Sequence, residues 1–169
     1  MNTFLAAYYP KAECCMNDKF KELQEDVLAE QKLIEKTIQR LSVIKSQLPL
    51  AEDDHKTEPA MGTYLMNFYS GIENILKRIC KVYYETFPAG QNWHKELLDL
   101  SYQPPEGKFS VFSEKVVSRL YKYKNFQHRF VSGYGFQLEA KKMIELVDGV
   151  EPLWKDVQKD LNSFLEKLA

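Results

Sequence analysis

Asn17–Gln47, NDKFKELQEDVLAEQKLIEKTIQRLSVIKSQ, contains neither glycine nor proline. Phe20, Leu23, Val27, Ile34, Ile38, Leu41 and Ile44, with Leu48 just beyond, recur at steps of three, four or seven. Side chains at those steps share one side of a helix, so the spacing predicts one long amphipathic helix. On the other side Asp18, Glu22, Glu25, Asp26, Glu30 and Glu35 balance Lys19, Lys21, Lys32, Lys36, Arg40 and Lys45, the pattern of a solvated face.

Working outward, Leu48–Asp54 reads as a short acidic loop. A second long helix follows, with Thr57 as its cap and Pro59 in its first turn. Its stripe is Leu65, Phe68, Tyr69, Ile72, Ile75, Leu76, Ile79 and Tyr83, and it stops at Phe87-Pro88. Two long helices joined by a short loop form an antiparallel hairpin. Gly71 inside the second helix implies a close crossing by another helix. A short helix is expected over Asn92–Leu100, a loop over Ser101–Gly107, and a fourth helix from near Ser110 to Gly133. Leu138–Leu168 reads as helical with a break at Asp148-Gly149 and a restart at Pro152. The fold class is all-α, an antiparallel helix bundle of about five helices. The expected domain spans 17–169. Residues 1–16 form a poorly structured extension, because Phe4–Cys15 lack a helical period and contain Pro10.

The chain has 169 residues with 44% hydrophobic content and a formal net charge of -1. One core fits this size, and near-neutrality argues against bulk attraction to nucleic acid or anionic lipid. The longest apolar run, Phe4–Tyr9, is far short of a membrane span. No basic segment precedes it, so a signal peptide is not expected. Three cysteines, two adjacent (Cys14, Cys15), make no disulfide framework, and a cytoplasmic protein is expected. No phosphate loop, nucleophile elbow, HExxH or CxxC is present, and His55, His94 and His128 are far apart, so no metal or cofactor is expected. Trp93 beside His94 reads as a core aromatic next to a hydrogen-bonded imidazole.

Glu114–Phe130 differs from the rest. Lys115, Arg119, Lys122, Lys124 and Arg129 stand against the single acid Glu114, interleaved with Tyr121, Tyr123, Phe126 and His128. Cations meet phosphates and aromatic faces stack on unpaired bases, so this segment is the candidate RNA-binding surface. A solvated helix over a buried aromatic stripe has the same composition.

Three blocks, YLMNFYSGIENILKRI at 64–79, NWHKELL at 92–98 and FQHRFVSGYGFQL at 126–138, resemble the HepT-like branch of the HEPN proteins. The resemblance runs over about residues 20 to 168. It implies a helical bundle, usually homodimeric, and a ribonuclease toxin paired with a small nucleotidyltransferase of the MntA type. That partner silences the toxin by transferring AMP to a tyrosine beside the catalytic histidine. The family motif is an arginine, four to six residues, a histidine, one residue and a tyrosine. Tyr134 matches the tyrosine and is the candidate AMP acceptor, but Ser132 stands in the histidine position and Gln127 in the arginine position. Serine has no pKa suited to proton transfer and glutamine carries no charge. His128 and Arg129 are the candidate substitutes.

The reading is therefore a HepT-like component of a prokaryotic toxin–antitoxin pair, with a degraded ribonuclease motif and a role in partner binding. The alternatives are an active metal-independent endoribonuclease and a non-catalytic RNA- or nucleotide-binding bundle.

Overall fold

A computed structural model describes residues 11–47, 56–133 and 140–168. The described chain folds into five α-helices, with no strand among the described residues. They are α1 (Lys11–Lys45), α2 (Thr57–Ile79), α3 (Trp93–Tyr102), α4 (Glu114–Ser132) and α5 (Ala140–Glu166). The bundle is all-α, as the spacing predicts. The first helix begins at Lys11, upstream of the expected start at Asn17.

Polar pairs along the long helices fix their directions. Arg78 meets Glu30 at 3.0 Å and Asp26 at 3.8 Å, while Gly71 lies against Ile34, so α1 and α2 run antiparallel. Gln24 donates to the Leu165 carbonyl at 3.2 Å, Gln158 donates to Glu35 at 2.8 Å, and Lys45 meets Asp148 at 2.8 Å. Those three pairs set α5 antiparallel to α1. Ser113 with Asp160 and Arg119 with Asp156 do the same for α4 and α5.

Helix α2 is the central element and touches all four others. Leu65, Phe68, Tyr69, Ile72, Ile75, Leu76 and Ile79 are buried around it. Leu23, Val27, Ile34 and Leu41 cover one side, and Leu153, Val157, Leu161 and Phe164 another. Burying a large apolar side chain stabilises by about 1.5–3 kcal/mol, so this shared core holds the bundle together.

Local chemistry explains the differences from expectation. Thr57 is the first helical residue and Lys56 holds the cap position; Pro59 sits where a backbone N–H lacks an intrahelical partner anyway. The second helix does not run on as regular α-helix: Cys80–Tyr84 form a π-helical turn closed by Glu85 at φ 54. This turn places both Tyr83 and Tyr84 against the following loop, where Tyr84 donates to the Phe109 carbonyl and the Phe109 N–H donates to Tyr83. Helix α4 starts at Glu114 rather than near Ser110. Val111 and Phe112 instead donate their N–H groups to the Ser101 carbonyl and bury their side chains.

The expected break at Asp148-Gly149 is absent, and α5 continues through Pro152. A mid-helix proline costs roughly 3 kcal/mol. Val147, Val150, Leu153 and Trp154, all buried, hold the helix across it. Gly149 has a packing role in place of a terminating one: an added Cβ there would sit 2.8 Å from the Tyr123 hydroxyl, which donates to the Leu146 carbonyl.

Candidate functional site

Helix α4 separates two clefts, and the candidate residues divide between them. The first cleft, of about 350 Å³, lies between α3 and α4 and is lined by His94, Lys95, Lys124, Gln127, His128 and Ser132 among others. Both degenerate motif positions, Gln127 and Ser132, are here. The second cleft, of about 440 Å³, lies between α4 and α5 and takes Arg119, Lys122, Asn125, Arg129 and Glu145. Lys115 is exposed near the start of α4. Tyr134 and His55 lie outside the described residues.

Helical geometry accounts for the division. His128 and Arg129 are adjacent, so their side chains leave the helix about 100° apart. His128 shares its cleft with Ser132, one turn on, whereas Arg129 shares the other with Asn125, one turn back. The two candidate substitutes are not brought together. The five cations of α4 do not make one surface either, and Arg119 is already paired with Asp156 at 2.5 Å.

The aromatics of α4 turn inward. Tyr123 and Phe126 are buried, and burial pushes the Tyr123 phenol well above its usual range. The Tyr121 hydroxyl donates to Asp99, and burial followed by that carboxylate raises its pKa as well. Base stacking on Tyr123 and Phe126, one expectation from the sequence, is thus closed off by the core.

Gln127 points away from open solvent. Its amide nitrogen donates to the Ser70 hydroxyl at 2.9 Å and lies 3.4 Å from Glu73 Oε2. Glu73 is the unexpected member of this group. It projects from α2, is only 3% exposed, and its other oxygen meets His94 Nδ1 at 2.5 Å. Burial of a carboxylate is costly unless it is paired. Here an imidazole and an amide face it. Trp93 stacks on the His94 ring from the adjacent position, and the Lys77 ammonium lies 4.7 Å above the Trp93 ring. The hydrogen-bonded imidazole expected beside Trp93 is present, but it also lines the cleft.

Glu73 was legible in principle. It falls four residues after Tyr69 and three before Leu76, which places an acid on the apolar face of α2. Among the described residues no group of three His, Cys, Asp or Glu side chains gathers as a metal site. No described helix is long and apolar enough to cross a membrane.

The fold and cleft define an all-α bundle whose polar site lies between its third and fourth helices. Residues 60–168 match the family model described as HepT-like protein, a span of more than half the chain. The chain belongs to the HepT-like family. No curated protein and no solved structure matches it.

Proposed function

We propose that this HepT-like chain is one component of a prokaryotic cytoplasmic toxin–antitoxin pair and acts by binding a small nucleotidyltransferase of the MntA type. The observation that carries this reading is the state of the motif positions within a HepT-like fold. Gln127 spends its amide on Ser70 and Glu73, and Ser132 is an exposed hydroxyl at the end of α4. Neither residue can stabilise a phosphate by charge or move a proton near neutral pH, so cleavage by the family's arginine–histidine route is lost while fold and partner class are kept.

In this reading Tyr134 accepts AMP from the partner. In the sequence it stands between Gly133 and Gly135, residues with no side chain to obstruct a second protein. Co-expression with the nucleotidyltransferase encoded beside the gene should add the mass of one or more AMP units to this chain, and Tyr134→Phe should abolish the addition without lowering thermal stability. An unmodified mass in the presence of active partner and ATP would remove the acceptor role.

A further inference from the structure

The α4–α5 cleft lies on the other flank of α4 from Gln127 and Ser132, and the proposed function leaves it unused. Lys122, Asn125 and Arg129 recur at steps of three and four, so they share one side of the helix, with Arg119 a turn earlier. All four line the cleft, whose volume of about 440 Å³ is within the range of ligand-sized sites, about 300–1,000 Å³. Glu145 is the one acid among the described lining residues. Among the described residues neither Lys122 nor Arg129 forms an ion pair, and both are exposed. Arg119 differs from them. Asp156 holds one of its nitrogens at 2.5 Å and so orients a guanidinium that has further N–H donors to offer. Gly149 keeps the floor of the cleft open, since an added Cβ there would sit 2.8 Å from the Tyr123 hydroxyl.

Three cations against one carboxylate select an anion, and their placement selects its shape. From Lys122 to Arg129 the helix rises about 10 Å, so the positive charge is drawn out along the cleft. Two or three linked phosphates spread their negative charge along a line in the same way, whereas a single phosphate or carboxylate concentrates it at one point. Guanidinium groups grip phosphoryl oxygens with paired N–H donors, and an ammonium adds a point charge. A nucleic-acid strand matches this cleft less well. Tyr123 and Phe126 are buried and offer no stacking face, and Lys115 and Lys124 lie outside it. We infer that the α4–α5 cleft binds the polyphosphate group of a small ligand. Lys122 and Arg129 meet the phosphoryl oxygens, Arg119 anchors one end, and the Asn125 amide donates a hydrogen bond. Free pyrophosphate and a nucleoside triphosphate both carry this group. The site is independent of the partner reading: its failure leaves association and AMP transfer untouched, and their failure leaves it untouched.

The test is titration calorimetry of the purified full-length chain with sodium pyrophosphate, in a low-salt buffer free of phosphate. Saturable binding at one site, weakened as sodium chloride is raised, is the expected result. Lys122→Ala and Arg129→Ala should each weaken it roughly tenfold or more. Lys115→Ala and Lys124→Ala remove charge from the same helix outside the cleft and should leave it near the starting value. Glu145→Gln removes the one opposing charge and should tighten binding several-fold, an effect that a merely structural role does not produce. Lys122, Arg129 and Glu145 are exposed, so these variants keep the fold, which circular dichroism checks. ATP serves as the second ligand. If it binds more tightly than pyrophosphate and loses as much in Arg129→Ala, the site takes a nucleotide; if it binds no more tightly, the site reads the polyphosphate alone. No saturable binding of pyrophosphate at millimolar concentration, binding unchanged in both Lys122→Ala and Arg129→Ala, or a loss confined to Lys124→Ala would each overturn the inference. So would a single-stranded RNA that binds through Arg129 and is not displaced by pyrophosphate.

Discussion

Gly71 of α2 packs against Ile34 of α1 so closely that an added Cβ would lie 2.5 Å from Ile34 Cγ1 and 2.9 Å from its Cδ1. Ile34 is 1% exposed, and its β-branched side chain is stiff at χ1, so Cγ1 cannot swing aside without changing rotamer. The helix crossing inferred from a lone glycine in an apolar helix is therefore the point where the core stripes of α1 and α2 meet.

Gly71→Ala sets two effects against each other. Alanine favours a helix by about 1 kcal/mol, whereas overpacking a core costs about 1–3 kcal/mol. At 2.5 Å the clash wins, so the variant should lose about 1–2 kcal/mol in a denaturant titration. In a double-mutant cycle with Ile34→Ala, which removes both clashing carbons, the Gly71→Ala penalty should vanish.

Pro152 interrupts α5 without ending it, and it is exposed. Pro152→Ala returns one backbone N–H to the helix, facing the Asp148 carbonyl, and loses no buried contact. The thermal midpoint should rise. Gly149→Ala should lower it, because its Cβ displaces the Tyr123 hydroxyl from the Leu146 carbonyl.

Much of this fold is legible because its core is periodic. The stripe from Phe20 to Ile44, the stripe from Leu65 to Ile79 and the Gly71 crossing follow from residue spacing alone. Pro152 misleads because local propensity terminates a helix there, while Val150, Leu153, Trp154 and Val157 are packed tightly enough to override it. The π-helical turn at Cys80–Tyr84 has no glycine or proline to mark it; it is set by the bonds of Tyr83 and Tyr84 to Phe109, distant in sequence. The site is less legible than the fold. A run of cations on one helix looks like one surface, yet α4 turns Arg129 and His128 into different clefts. The Glu73–His94 pair joins two helices, so neither residue announces it alone.

Burial pushes the Cys80 thiol up to about 12 from its ordinary 9.0. Burial likewise raises the phenols of Tyr69, Tyr84, Tyr121 and Tyr123, with Glu73 adding to the effect at Tyr69. The sign follows from proton counts. Above about pH 9 the unfolded chain gives up protons that the folded chain keeps, so the unfolded state binds fewer and stability falls as pH rises. The urea midpoint should drop between about pH 8 and pH 10.5. The Cys80 thiol should resist alkylation until the chain unfolds.

We propose that the chain forms a homodimer, as its resemblance to the HepT-like proteins implies. Most described aromatics pack inside the bundle, and Phe87 and Phe109 are the large ones at the surface, so an interface draws on aliphatic side chains as well. Leu28, Leu33 and Val43 are exposed on α1. Light scattering should give twice the 19.8 kDa chain mass at micromolar concentration. Leu33→Glu should shift that mass toward the monomer if α1 forms the contact.

Association with the nucleotidyltransferase is the central claim, and titration calorimetry between the two purified proteins tests it most directly. The account predicts a saturable complex of fixed stoichiometry that also elutes as one species on size exclusion, with Tyr134→Phe still binding. Two proteins that elute separately and give no binding heat at any temperature tested, with both folded, would contradict it.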